Sequence, residues 1–291
     1  MSSVPAPGCP APFAPNGHHT PTVLAVQHVK KMRGGAQSHL MRCSDGCFYV
    51  VKFRNNPQHS RVLANEMLAT GLAHHLGLPV PAAAIVEVGM WLVSRTPELT
   101  MQGPASAVPC EAGLQFGSQY AVSPLEGQVF DHLPAAMLSR VRNLECFAGI
   151  LALDKWTCNT DGRQATFWRR MRERRYTVTF IDQGHCFNAG DWTFPDHGLR
   201  GIYCQNDVYA GITGWESFTP WLPRIEEIEE DVIRKLAGEI PPEWYESDWD
   251  GLNQLVTRLM ERRAGVRDLL SAFRLSPRKP FVNWGACSAT E

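Results

Sequence analysis

Apolar and polar positions change period several times along this chain, and each change marks an element. Val23–Val29 is a first strand-like run. Leu40–Arg42 and Cys47–Phe53 form two further strand runs around Ser44-Asp45-Gly46, a tight-turn sequence that predicts a hairpin. Between them lies Lys30-Lys31-Met32-Arg33-Gly34-Gly35-Ala36-Gln37-Ser38, a basic turn containing glycines. Over 59–76 the period becomes helical: Val62, Leu63, Met67, Leu68, Leu72 and Leu76 recur at helical spacing, and Gly77 stands beyond them as a C-cap candidate. Pro79 and Pro81 force an extended entry into a strand at Ala84–Val88, and Met90–Ser94 reads as another strand.

Residues 96–125 are rich in Pro, Gly and Ser and have no clear period. They are expected to carry a crossover between two lobes, with Phe116-Gly117-Ser118 as the candidate hinge. Past Asp131 the spacing is mostly helical. A long helix is expected over 134–156, a hairpin over 165–182, and helices over 221–238 and 249–274, the last two separated by Pro241-Pro242-Glu243-Trp244. Residues 1–20 hold five prolines and read as a disordered arm, and 276–291 as an irregular tail. The expected organisation is an α+β chain of two lobes: a small β-rich N-lobe with one helix over 21–115 and a larger, mostly helical C-lobe over 116–275.

Composition narrows the partners. The 291 residues are 44% hydrophobic and 20% charged with a net charge of −1, ordinary values for a globular chain able to bury a core. That balance gives no support to a nucleic-acid or membrane-surface partner. The basic cluster Arg169-Arg170-Met171-Arg172-Glu173-Arg174-Arg175 falls between two strand runs, as a solvated hairpin tip would. Nine cysteines, an odd number without a CxxC pair, with no secretory signal and no apolar run near 18 residues, predict a reduced cytoplasmic protein.

Polar residues placed where the apolar pattern predicts something else are the candidate chemistry. Lys52 sits inside the strand run Tyr49-Val50-Val51-Lys52-Phe53. Alternation alone allows an outward, solvated lysine, but Glu66 interrupts the apolar face of the next helix and supplies a partner. Asp161 follows the long helical pattern in Asn159-Thr160-Asp161-Gly162-Arg163, and Asp182 ends the strand run Tyr176–Ile181. Buried charge is costly without a partner. A strand lysine, a loop aspartate and a strand-end aspartate, in that order, are the parts phosphoryl transfer uses for phosphate, nucleophile and Mg2+. Local capping would account for Asn159 or Asp161 singly, less easily for the set. A competing register pairs Asp154 with Asn159 five residues on, at the spacing of the protein-kinase catalytic loop, although an aspartate at the end of a helix opposes its dipole. Asn159 stays open between cap and metal-side ligand. His185, beside Cys186 and Phe187, reads as packed. Trp192, Phe194 and Trp215-Glu216-Ser217-Phe218 lie where a substrate groove would be.

Gly34-Gly35-Ala36-Gln37, Tyr49–Phe53, Asn65-Glu66, Leu76-Gly77-Leu78-Pro79-Val80-Pro81, Asn159-Thr160-Asp161 and Phe180-Ile181-Asp182-Gln183-Gly184-His185 together resemble the HipA-like kinase family, in its shorter bacterial branch. Ile240–Trp244 and Leu259-Met260-Glu261-Arg262-Arg263 add to the likeness, which spans about residues 22–275. The resemblance implies a two-lobed protein-kinase-like fold, ATP with Mg2+, and transfer to a serine or threonine hydroxyl of an unidentified protein. By position it implies that Lys52 contacts the α/β phosphates, Glu66 orients Lys52, and Gly34, Gly35, Ala36 and Gln37 cover the phosphates. Asp161 would accept the substrate proton and Asp182 would bind Mg2+. The family's loop has an asparagine ligand five residues after its aspartate; here that position is Thr166, and the family's histidine is absent, with Arg163 displaced by one. A hydroxyl is able to ligate Mg2+, so Thr166 is a candidate metal residue. The same departure keeps a nucleotide-binding pseudokinase, or a small-molecule kinase on this fold, as the alternative readings. Oligomeric state is left open.

Overall fold

The computed structural model of the protein describes residues 20–103, 106–122 and 126–286. The N-terminal arm expected over 1–20, apart from Thr20, and the last residues of the expected tail lie outside the described residues. In chain order the elements are β1 (Thr22–Lys31), β2 (His39–Cys43), β3 (Phe48–Lys52), α1 (Val62–His75), β4 (Ala83–Val88) and α2 (Met90–Arg95). Then come β5 (Thr100–Gln102), β6 (Ala107–Pro109), β7 (Gly113–Gln119), β8 (Gly127–Phe130), α3 (Cys146–Trp156), β9 (Gln164–Arg170) and β10 (Thr177–Ile181). Four helices finish the chain: α4 (Trp221–Glu226), α5 (Glu230–Gly238), α6 (Trp249–Arg262) and α7 (Val266–Arg274). Among the described residues no helix is long and apolar enough to cross a membrane.

Two compact units result, 1–57 with 81–123 and 58–80 with 124–291. In the first, five strands close a barrel in the order β1-β2-β3-β7-β4, antiparallel except where β1 runs parallel to β4. Its core includes Met41, Tyr49, Val51, Phe53, Ala84, Val86 and Val88. The hairpin between β2 and β3 closes as its sequence predicts: Gly46 is left-handed at φ 82°, and the Asp45 carboxylate accepts from Cys47 N (3.0 Å) and Tyr49 OH (2.8 Å).

Two expectations fail in this unit. Met90–Ser94 belongs to a helix: its buried residues, Leu92 and Val93, are adjacent, whereas Met90 and Trp91 are 68% and 66% exposed, a grouping no alternating strand produces. Residues 96–125 contain the β5–β6 hairpin and β7. The candidate hinge Phe116-Gly117-Ser118 lies in β7, paired with β3 on one side and β4 on the other. A Cβ on Gly117 would overlap Val86 and stand 3.3 Å from the Tyr49 ring, so glycine permits the close barrel packing here. Among the described cysteines, Cys43, Cys110, Cys146, Cys158, Cys186 and Cys204 are free.

The second unit contains α1, whose packing partners are α5 and the 3-10 turns at Ala189–Asp191 and Pro242–Tyr245. The range 21–115 read as a first lobe therefore runs through a helix that packs in this unit. Gly77 ends α1 in a Schellman arrangement, Gly77 N donating to His74 O and Leu78 N to Ala73 O, each at 2.9 Å. The helix expected over 134–156 is broken. A 3-10 turn spans Ala135–Arg140, Val141 bridges Tyr176, and Asn143 pairs through its side chain with both the N–H and C=O of Val178 before α3 begins. That pairing satisfies strand backbone that a continuous helix would leave open. The expected hairpin forms as β9–β10, with β8 added outside β9. The helical run 221–238 divides into α4 and α5, and 249–274 into α6 and α7. Every residue of α3 is buried. Its final carbonyls, Lys155 and Trp156, accept from the Arg262 guanidinium of α6 at 3.0 Å each, a cation at a helix C-terminus.

Candidate active site

The chain leaving α3 (residues 157–163) and the chain leaving β10 (182–189) run against each other. Phe187 N donates to Thr157 O (2.6 Å), Asn188 N to Cys158 O (3.3 Å) and Thr160 N to His185 O (3.1 Å). Both are bent into left-handed backbone at Cys158, Asp182, Phe187, Asn188 and Ala189, with φ of 51–64°. Non-glycine residues in this conformation cost energy and cluster at functional sites.

Arg163 locks the two loops. Its guanidinium is buried and donates to both oxygens of the Asp154 carboxylate, through Nε at 2.9 Å and through Nη2 in a shorter ion pair. On its other side Nη1 donates to Ile181 O and Gln183 Oε1 at 2.8 Å and to Asp182 O at 3.4 Å. Burial by itself lowers the Arg163 pKa, but the Asp154 charge and hydrogen bonds outweigh it and leave the pKa raised. Asp154 also accepts from Asn159 Nδ2 at 2.9 Å and is 1% exposed. The carboxylate of the competing register is thus enclosed and paired with a cation.

Asp161 is different: it is exposed, at the outer turn of the loop. Its own N–H is held by Asn159 Oδ1 (3.1 Å), its carbonyl accepts from Gly201 N (3.2 Å), and its Oδ1 accepts from Gly162 N (2.7 Å). Asn159 therefore acts as the internal brace of the loop, joining Asp154 to the backbone of Asp161. Asp182 is half-buried at the end of β10, where its Oδ2 accepts from Gln164 Nε2 at 2.8 Å. Thr166 is buried in β9 opposite Thr179, and its hydroxyl donates to Thr179 O at 3.4 Å.

The loop of Asp182 hangs from α1. Asn65 Nδ2 donates to the carbonyls of Gly184, Cys186 and Ala189 at 2.7–2.9 Å, and Asn65 Oδ1 accepts from Trp192 Nε1 at 2.8 Å. Glu66 Oε1 accepts from Gly184 N at 2.9 Å. A Cβ on Gly184 would come within 2.7 Å of Val62, so helix and loop touch here with no room for a side chain. Trp192 is buried, with Arg61 4.1 Å above its ring, and it braces this loop instead of lining a groove. His185 is half-buried, its ring 5.5 Å from that of His59.

The segment after the loop closes over the other side. Lys155, next to Asp154, donates to Gly198 O (2.9 Å) and Arg200 O (2.5 Å), and Arg163 N donates to Ile202 O (3.0 Å). Desolvation lowers the Lys155 pKa to about 8 against the pull of Asp154.

In the first unit, Lys52 ends β3 and is buried, 7% exposed, so the solvated-lysine reading is excluded. Gly34 and Gly35 are exposed, with Gly34 at φ 122°. Ala36 is buried, its carbonyl accepting from Asn56 Nδ2. The Gln37 side chain is tied to β5: Oε1 accepts from Gln102 N (2.6 Å) and Nε2 donates to Gln102 O (3.0 Å).

Sequence reasoning did not single out Asn65, Gln164 or Lys155, and it treated Arg163 only as a displaced residue. For Asn65 a signal existed: a second polar residue beside Glu66 within an apolar helical run.

The profile of a family described as HipA-like kinase matches residues 25–265. Among solved structures, the Helicobacter pylori proinflammatory kinase CtkA superposes with a TM-score of 0.53 at 13% identity, covering 86% of this chain and 99% of that one. A hydra Fam20 structure determined with sugar gives a TM-score of 0.52 at 10% identity, covering 89% and 88%. At such identities the likeness is one of fold, and the fold is kinase-like with mixed α and β content. No curated protein matches the chain in sequence.

Proposed function

Because this chain belongs to the HipA-like kinase family, we propose that it is an ATP- and Mg2+-dependent phosphotransferase acting on a serine or threonine hydroxyl of a protein. The observation that carries this reading is the lock between the Asp161 and Asp182 loops. Arg163 and the backbone bonds at Thr157, Cys158 and Thr160 hold an exposed and a half-buried carboxylate on two braced loops. Pre-set positions of this kind are what phosphoryl transfer needs, since its catalysis is chiefly positioning and electrostatic stabilisation.

Asp161 is the base: it accepts the hydroxyl proton as that oxygen bonds to the γ-phosphorus and the bond to the bridging oxygen of ADP breaks. Asp182 holds the cation, an oxygen donor suited to a hard ion that is bound through one or two carboxylates and substrate phosphates. An ion held there would supply charge neutralisation to the transferred phosphate. Lys52 serves the phosphates, and the Gly34–Gln37 turn covers them through its backbone. The engaged hydroxyl of Thr166 favours one second reading, a nucleotide-binding pseudokinase in which the loop no longer completes the metal site.

Purified protein with Mg2+ and labelled ATP tests the proposal. Mg-ATP should raise the melting temperature by mass action, Asp182→Asn should remove the metal-dependent part of that rise, and Asp161→Ala should abolish transfer while the rise persists. Wild-type protein that binds no nucleotide under any metal condition refutes both readings, and binding without transfer selects the pseudokinase.

A further inference from the structure

Four neutral side chains with an oxygen lie on residues 159–166: Asn159, Thr160, Gln164 and Thr166. The Thr160 hydroxyl is turned to His185 O at 3.3 Å. Asn159 is 1% exposed and committed inside the loop, Nδ2 to Asp154 and Oδ1 to the N–H of Asp161. Thr166 is buried with its hydroxyl turned to the Thr179 carbonyl across the strand pair. Gln164 is exposed, opens β9 opposite Ile181, and reaches the Asp182 carboxylate itself, Nε2 to Oδ2, at 2.8 Å.

We propose that Gln164 is the second protein ligand of the divalent cation, its amide oxygen and the Asp182 carboxylate binding the same ion. This rests on the kinase reading above. The amide end of glutamine carries a donor and an acceptor of nearly the same shape. Half a turn of that amide places Oε1 where Nε2 stands, 2.8 Å from Asp182 Oδ2. Adjacent ligands of an octahedral Mg2+, each about 2.1 Å from the ion, lie about 3 Å apart, so the separation fits two neighbouring corners of one coordination sphere. A glutamine two residues earlier in β9, with one more methylene, thereby does what Thr166 is too short and too engaged to do.

A ligand and a mere prop for Asp182 respond oppositely to a change of charge, and Mn2+, which favours the same oxygen donors, gives a direct probe. Free Mn2+ is followed by electron paramagnetic resonance in titrations of the 291-residue chain saturated with ADP. Gln164→Leu should weaken Mn2+ binding at least tenfold. Gln164→Glu should hold or strengthen it, because a carboxylate ligates the ion although it cannot donate to Asp182. Thr166→Val should stay within twofold of wild type. In EDTA Gln164→Leu should melt as wild type does, its site being exposed, whereas Gln164→Glu should melt slightly lower because two carboxylates then face each other without a cation. Gln164→Leu within twofold of wild type, Gln164→Glu as weak as Gln164→Leu, or loss of binding in Thr166→Val each overturns the assignment. Asp182→Asn separates the levels. If it abolishes Mn2+ binding while Gln164→Leu does not, the Gln164 assignment alone falls; if it leaves binding intact, the metal site of the kinase reading falls with it.

Discussion

Replacing Asp154 by alanine would leave the Arg163 guanidinium buried without its counter-charge. The pair is enclosed, with side-chain exposures of 1% and 0%, and Asp154 also accepts from Asn159. Removing one member of a buried ion pair costs about 3–5 kcal/mol, most of it the uncompensated charge. For a chain of this size each kcal/mol moves Tm by about 2–4 °C, so a fall of about 6–20 °C is expected, read by calorimetry and by guanidinium titration of tryptophan fluorescence. The double variant Asp154→Leu/Arg163→Met should recover part of the loss, since apolar side chains of similar volume replace buried pairs at little cost. It should not recover all of it, because Ile181 O and Gln183 Oε1 still lose their donor, at about 1–3 kcal/mol for each buried group left unsatisfied. Phosphoryl transfer should stay low in the double variant, as the two carboxylate loops are no longer tied. An Asp154→Ala protein within about 1 kcal/mol of wild type would refute the lock. Full transfer by Asp161→Ala together with a folded, inactive Asp154→Ala would reverse which aspartate is the base.

Other outcomes follow from the packing and the titrating groups. Gly149→Ala drives a methyl into the Trp221 indole and within 2.7 Å of Leu78 at the α3–α4 contact; overpacking of this kind costs about 1–3 kcal/mol or more, measurable by guanidinium denaturation. Asn65→Leu strips donors from the carbonyls of Gly184, Cys186 and Ala189, so hydrogen exchange over 182–192 should speed up more than exchange in β9. His39 lies inside the barrel, and burial, followed by the nearby His28 and Lys31, lowers its pKa to about 4. A lowered folded-state pKa contributes stability that is fully present above the unfolded value near 6.5 and lost as pH falls towards 4, so wild-type Tm should drop across that window and His39→Gln should flatten the drop.

Much of the fold was legible because period is a local property. Strand-like apolar runs marked β1 to β4 and the β9–β10 hairpin, Ser44-Asp45-Gly46 marked the β2–β3 turn, and the spacing from Val62 to Leu76 with Gly77 marked α1 and its cap. Lys52, Asp161 and Asp182 stood out for an equally local reason, as charges in or beside apolar runs. What the local pattern could not carry was pairing across distance. The run Gly-Leu-Gln-Phe-Gly-Ser-Gln of β7 has weak strand preference and exists because β3 and β4 supply hydrogen bonds on both sides. The helical spacing over 134–156 is interrupted because Asn143 and Val141 pair instead with 176–178. In the candidate site the sequence determined which residues bear charge, and the tertiary structure decided their use. In the sequence Asp154 ends a helical pattern and Asp161 stands in the loop just beyond it. Arg163, folded back from the start of β9 and joined to the end of β10, pairs with the first inside the fold and leaves the second exposed, because a buried charge is tolerated only where folding brings a partner to meet it.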